Sequence, residues 1–277
     1  MPTAAQNSYK PNIYREQGGN IARFRGVSGL PAVPECLLWG NAPVLNCLID
    51  PSLGYYYFDD FMNPASATAS DVQAYTSVDD AGTGANAFQN VAGGVYNVVT
   101  AAADNDHHAM TSVNEMFNLG LAKKCWFEAR FKVAEATTNE SAWWVGLTDT
   151  TTTGGLQANT AGPLADYDGC LIWKDEATMT IDFETSNGTT QNTTTAMATF
   201  VSDTWTRVGF YCDGTGTTSV ITPYYSVDGS SALVAGTPQN LTLASMTASK
   251  LVFGIKAGPT GAAETLQMDY IRFLGLR

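Results

Sequence analysis

The run CWFEARFKV sets Cys125, Phe127, Ala129, Phe131 and Val133 on one side of an extended chain and Trp126, Glu128, Arg130 and Lys132 on the other. Side chains alternate faces along a strand, so this spacing describes a β-strand with one buried face. ATMTIDFET repeats the period, with Ala177, Met179, Ile181 and Phe183 inward and Thr178, Thr180, Asp182 and Glu184 outward. AWWVGL, GCLIWK, WTRVGFYC, SVITPYYSV, KLVFGIK and TLQMDYIRFL read as further strands, divided by turn-forming DGTGTT, VDGSS and AGPTGAA. Pro223 cannot donate to a ladder, so its strand is expected at an edge or a bulge. Only SVNEMFNLGLAKK is a candidate helix, and it reads equally as a strand followed by a turn. There is no βα alternation, no blade-length repeat and no short repeated coil. The expected fold class is all-β, a two-sheet antiparallel jelly-roll sandwich.

A chain of 277 residues is long enough for one large sandwich. Its charge is low in density and negative in sum: 14 Lys and Arg face 26 Asp and Glu, for a net of -12. Such a body repels nucleic acid, so no nucleic-acid partner is expected. No run of 18 apolar residues offers a membrane span, and MPTAAQNSYKPNIYREQ has no apolar core of a secretory signal. The five cysteines form no CxxC or Cys/His metal pattern. Cys125 and Cys212 border apolar runs and read as reduced core residues, while Cys36 and Cys47 are close enough in sequence to bridge. The Asn-x-Ser/Thr matches at Asn139, Asn187, Asn192 and Asn240 follow from an Asn- and Thr-rich chain without secretion.

Residues 1–54 behave differently. Met1 to Val33 carries Lys10, Arg15, Arg23 and Arg25 against Glu16, a net +3, which leaves -15 for the remainder. The following GVSGLPAVPECLLWGNAPVLNCLIDPSLG is rich in Gly and Pro, yet Leu37, Leu38, Trp39, Val44, Leu45, Leu48 and Ile49 are too apolar for a solvated linker. This pattern is read as an extended N-terminal arm and docking segment ahead of a body at 55–277. Tyr9, Tyr14, Arg15, Arg23, Arg25, Leu37, Leu38 and Trp39 are its candidate partner contacts, the arginines through charge-assisted pairs and the apolar groups through buried area. The surface covered is its own body, a second copy or a larger particle.

FDDF at 58–61, FEARFKV, WWVGLTD, YYSVDG and MDYIRFL together resemble the concanavalin A-like lectin/glucanase superfamily, and most of all LamG-like jelly rolls encoded by tailed bacteriophages. The resemblance spans about residues 55–277. It implies that the first and last strands lie together, and that YYYFDDFM opens the body with alternate rings inward and Asp59 and Asp60 near the rim. It further implies a non-enzymatic virion surface protein, such as a capsid-decoration protein, assembled in the host cytoplasm. Its partners would be the capsid protein and copies of itself, a trimer in the family context. A carbohydrate-binding module or phage adhesin is the alternative, and a glycoside hydrolase the third reading.

The residues for those alternatives are few. Trp143 and Trp144 are the candidate glycan contacts, although adjacent strand residues face opposite ways and only one ring can serve a given surface. Glycosidase relatives of this superfamily carry Glu-x-Asp-x-x-Glu. TIDFET has Asp182 and Glu184 but Thr180 and Thr185 at the outer positions, so it lacks the pair of carboxylates such chemistry holds across a scissile bond. His107 and His108, with Asp104 and Asp106, read as an exposed polar turn rather than a metal cluster. No cofactor is expected. Structural calcium, which legume-type relatives use, has acid-rich loops to consider at VDDAGTG (78–84) and ADYDG (165–169), where Asx turns explain the same residues without an ion.

Overall fold

A computed structural model describes residues 38–277 except 63–74, 81–83, 120–122, 138–139, 151–155, 157–160, 215, 228–232 and 244–245, together with the backbone of 13–16 and 19–22. The chain divides into two compact units, Met1–Glu35 and Cys36–Arg277. In the first, β1 (Ile13–Glu16) pairs antiparallel with β2 (Gly19–Ala22), so Tyr14 and Arg15 lie on a hairpin strand. The division into compact units falls at 35/36, so Leu38 to Leu53 belong to the larger unit.

That unit is a sandwich. It comprises α1 (Val44–Ile49), β3 (Gly54–Asp59), β4 (Tyr75–Asp79), β5 (Ala85–Phe88), β6 (Tyr96–Val99), β7 (His107–Ser112), β8 (Cys125–Ala134), β9 (Ala142–Thr148) and β10 (Asp168–Lys174). β11 (Thr180–Asn187), β12 (Gln191–Thr199), β13 (Thr206–Cys212), β14 (Thr218–Ser226), β15 (Val234–Ala235), β16 (Gln239–Thr242), β17 (Lys250–Lys256) and β18 (Thr265–Leu276) follow. A seven-stranded sheet runs β12-β11-β10-β9-β17-β7-β4. A nine-stranded sheet runs β15-β14-β13-β8-β18-β6-β5, with β16 beside β14 and β3 beside β18. All of these pairings are antiparallel.

The alternation read from the sequence is the alternation observed. Phe127, Ala129, Phe131 and Val133 of β8 and Ile181 and Phe183 of β11 all join the core between the sheets. β3 pairs with β18 from Gly54↔Leu276 to Asp59↔Ile271, which brings the first strand of the sandwich to the last. Tyr55 and Tyr57 turn toward the core while Tyr56 packs on the opposite face. Asp59 ends the strand by accepting the Phe61 amide at 2.8 Å. Pro223 pairs with Phe210 on one side and on the other falls between the partners of β15 and β16, where a missing N–H costs least. The stretch around SVNEMFNLGLAKK forms no helix among its described residues; Phe117 there makes an isolated bridge to Ser249.

Candidate functional site

The two outer sheet faces are where a sandwich of this kind can meet a ligand, and the chain covers much of both. On the seven-stranded sheet, Trp144, Leu171, Trp173, Tyr167, Val252 and Leu156 form a second apolar cluster outside the main core. Trp144 lies so close over Gly254 that a Cβ there would collide with its ring, and Gly162 meets the Trp173 ring in the same way. Trp143 points the other way and packs against Phe131 and Phe200, with ring centroids 4.7 and 5.5 Å away. Both candidate glycan tryptophans are 0% exposed, which corrects their assignment as sugar platforms: stacking needs an open ring face.

Asp182 and Glu184 project from the same outer face of β11, yet neither is solvated as expected. Asp182 accepts the Ala196 amide at 2.7 Å, made possible by a bulge between Ile181 and Phe183. Glu184 accepts Thr193 Oγ1 at 2.6 Å and Gln191 Nε2 at 3.0 Å. Burial raises both carboxyl pKa values, and these donors partly offset it. Asp182 Oδ1 and both Glu184 oxygens thus accept hydrogen bonds from the neighbouring strand.

On the nine-stranded sheet, residues 38–41 of the docking segment lie on its own body, one of the three surfaces left open by the sequence. Leu38 is buried, with Cδ2 so close to Gly209 that a Cβ there would stand 2.6 Å away. Trp39 donates from Nε1 to Glu128 at 2.5 Å and stacks under the Arg272 guanidinium, 4.2 Å from the ring centroid. Glu128 also accepts Tyr270 OH at 2.5 Å, Arg272 Nη2 at 2.6 Å and Arg207 Nη2 at 2.8 Å. Burial alone would raise the Glu128 carboxyl, but Arg272 and then Arg207 outweigh it and hold it below the usual range. Asn41 accepts the Trp126 indole N–H at 3.1 Å, which completes the cover. Leu38 and Trp39 therefore make intramolecular contacts, Leu38 buried and Trp39 partly buried. Tyr9, Arg23, Arg25 and Leu37 lie outside the described residues, as does Cys36, while Cys47 is a free buried thiol.

α1 is the feature that sequence reading underused. Cys47 and Val44 face the body, whereas Leu45, Leu48 and Ile49 are 44, 59 and 75% exposed, and Leu53 just beyond is 48% exposed. Positions i, i+3 and i+4 share one helix face, so this is an apolar stripe directed away from the body. The LxxLI spacing was the available signal.

A cavity of about 470 Å³ opens between Thr194, Tyr225, Thr237 and their neighbours, near the edge strands β12 and β15. His107 and His108 are buried strand residues rather than an exposed turn, while Asp104 is exposed. Of the two acid-rich loops, ADYDG commits Asp168 to the Thr247 amide and hydroxyl at 2.7 and 2.9 Å and leaves Asp166 exposed. No described helix is long and apolar enough to cross a membrane.

No protein-family model matches the chain, and no curated protein matches it in sequence. Solved structures do match in shape. Peanut lectin has a TM-score of 0.55 at 10% identity over 81% of this chain and 98% of its own. Basic winged bean lectin scores 0.54 at 10% identity over 80% and 99%. An endo-1,3-β-glucanase from Streptomyces sioyaensis scores 0.53 at 14% identity over 82% and 98%. The chain has the lectin-like, concanavalin A-like jelly-roll fold shared by these lectins and glucanases. At such identities the likeness is one of fold, and function rests on the residues.

Proposed function

We propose that this chain is a non-enzymatic structural protein of a bacteriophage virion, a head-surface or capsid-decoration component that acts by docking. The observation that carries the proposal is the exposed stripe of Leu45, Leu48, Ile49 and Leu53 on a segment whose other side is fixed to the body. A rigid apolar ledge suits a protein partner, because its contact area is already ordered before binding. The net +3 of residues 1–33 would add attraction to an acidic partner, including the -15 remainder of another copy. Covered outer faces and committed carboxylates support binding over hydrolysis. The expected partners are the capsid protein and further copies of the chain, arranged as a trimer on the virion surface after assembly in the host cytoplasm.

Mass photometry and particle pull-down test this with Leu48→Asp/Ile49→Asp. The double variant is expected to keep the wild-type circular dichroism spectrum and to lose self-association and particle binding by at least tenfold. Unchanged association would reject the ledge. A second reading, glycan binding, draws on the lectin-like fold and on the cavity beside Thr194, Tyr225 and Thr237. Selective glycan-array binding abolished by Tyr225→Ala, with the ledge variant unaffected, would favour it.

A further inference from the structure

At one edge of the seven-stranded sheet, β4 runs into Asp79 and Asp80 while Asp106 precedes β7. One carboxylate oxygen from each lies within 4.8 Å of the other two. This end of the sheet is marked by Ala142 and Lys256, opposite the connection between β9 and β10. Asp106 is 3% exposed and accepts the Ala101 amide at 2.5 Å, so its carboxylate is fixed in place. Three carboxylates gathered this closely repel one another unless a cation or a proton enters.

A second observation points to the cation. The His108 side chain is 4% exposed, and its Nδ1 lies 3.4 Å from Asp79 Oδ2 without making a hydrogen bond. Gly84 keeps the space in front of both atoms open: a Cβ there would collide with His108 Nδ1 and stand 3.1 Å from Asp79 Oδ2. The other ring nitrogen, Nε2, is 3.1 Å from the Asn86 side-chain amide. In the structure Asn86 Nδ2 faces both Nε2 and Met110 Sδ, so ligation through Nδ1 requires the amide to turn and let Nε2–H donate to Oδ1. Two donors on one ion, with bonds of about 2.1 Å at a tetrahedral angle, stand roughly 3.4 Å apart.

We propose that Asp79, Asp80, Asp106 and His108 bind a divalent first-row cation, Mn²⁺ or Zn²⁺. Carboxylate oxygens suit Mn²⁺ as well as Ca²⁺ and Mg²⁺, and the added imidazole favours a first-row ion, Zn²⁺ most of all. Lys256, the lysine closing this end of the sheet, faces Glu176 at 3.6 Å. The site ties an edge strand to its neighbour and does not depend on the docking role of α1.

The test uses tag-free, chelator-stripped full-length protein titrated with MnCl₂ and separately with ZnCl₂ by calorimetry. One equivalent of either ion is expected to bind, with bound Mn²⁺ showing ¹⁴N modulation in pulsed electron paramagnetic resonance. Asp79→Asn/Asp80→Asn should weaken binding at least tenfold, and these partly exposed positions leave the fold intact by circular dichroism. Gly84→Ala should weaken it with every ligand present. The proposal is overturned if neither ion binds at millimolar concentration, if affinity survives the double substitution, or if bound Mn²⁺ shows no nitrogen coupling.

Discussion

Replacing Glu128 by Gln removes one negative charge from the middle of the nine-stranded sheet and leaves its surroundings almost isosteric. Five donor atoms converge on the carboxylate: Trp39 Nε1, Tyr270 OH, Arg272 Nη2, and Nε and Nη2 of Arg207. An amide presents one acceptor, and its NH₂, placed at the Oε2 position, faces Trp39 Nε1 and Arg272 Nη2, which can only donate. Breaking a buried ion pair from one side costs about 3–5 kcal/mol. The arginine side chains are 13 and 25% exposed and recover some hydration, so the lower figure of about 3 kcal/mol applies. With an m-value of about 3 kcal/mol/M, the urea midpoint should fall by about 1 M. Because Trp39 anchors the leading segment to Glu128, cleavage between residues 40 and 53 should accelerate in native-state proteolysis. The pH dependence has a fixed sign. The folded pKa is lower than the unfolded value, so the contribution is complete above about pH 4.5 and disappears as pH falls through the folded value. The gap between wild type and Glu128→Gln must therefore narrow in acid. A midpoint shift below about 0.2 M, or a gap that widens in acid, would refute the view that this carboxylate holds the segment down.

Trp144→Ala opens a cavity beside Trp173 and Tyr167 and should cost about 3–5 kcal/mol, which lowers Tm by roughly 10 °C in calorimetry. Any glycan binding should survive in the folded fraction, since the ring is enclosed. Glu264 is fully buried and its carboxyl is pushed up to about 7 by desolvation, so the folded chain holds a proton that the unfolded chain releases. Stability should decline between about pH 4.5 and 7, and Glu264→Gln should flatten that slope and be the more stable form at pH 8 by roughly 2 kcal/mol. Paired melts at pH 5 and pH 8 measure both limbs.

What could be read from the sequence was everything that alternation alone decides. Inward Phe127 and Phe131, inward Ile181 and Phe183, and the opposed faces of Trp143 and Trp144 follow from a period of two. YYYFDDFM likewise opened the sandwich, because its rings match a half-buried strand and Asp59 terminates it. What alternation does not carry is the fate of the face turned away from the core. Glu128 reads from the sequence only as a residue of the outward face, because its cover comes from Trp39, 89 positions earlier. Its cross-strand neighbour Arg272, 144 positions later, completes the charge balance. Neither separation leaves a local signature, and the same holds for Asp79 and Asp106, which meet only because β4 and β7 pair.

Coverage of the outer faces also changes what a lectin-like body can be used for. A sandwich that binds with the face of a sheet must leave that face open, and an apolar cluster there needs an occupant. Here the occupant of the seven-stranded sheet is partly Leu156, and that of the nine-stranded sheet is Leu38 with Trp39. Each burial stabilises the body by removing aromatic and aliphatic area from water, at about 25 cal/mol per Å². The same residues are then no longer available to a ligand. On the readings proposed above, recognition would fall at the margins: the helix carrying Leu48 and Ile49, the sheet edge at Asp79 and Asp80, and the opening beside Tyr225. Substitutions at those margins should separate binding from stability, whereas substitutions on the covered faces should change both together.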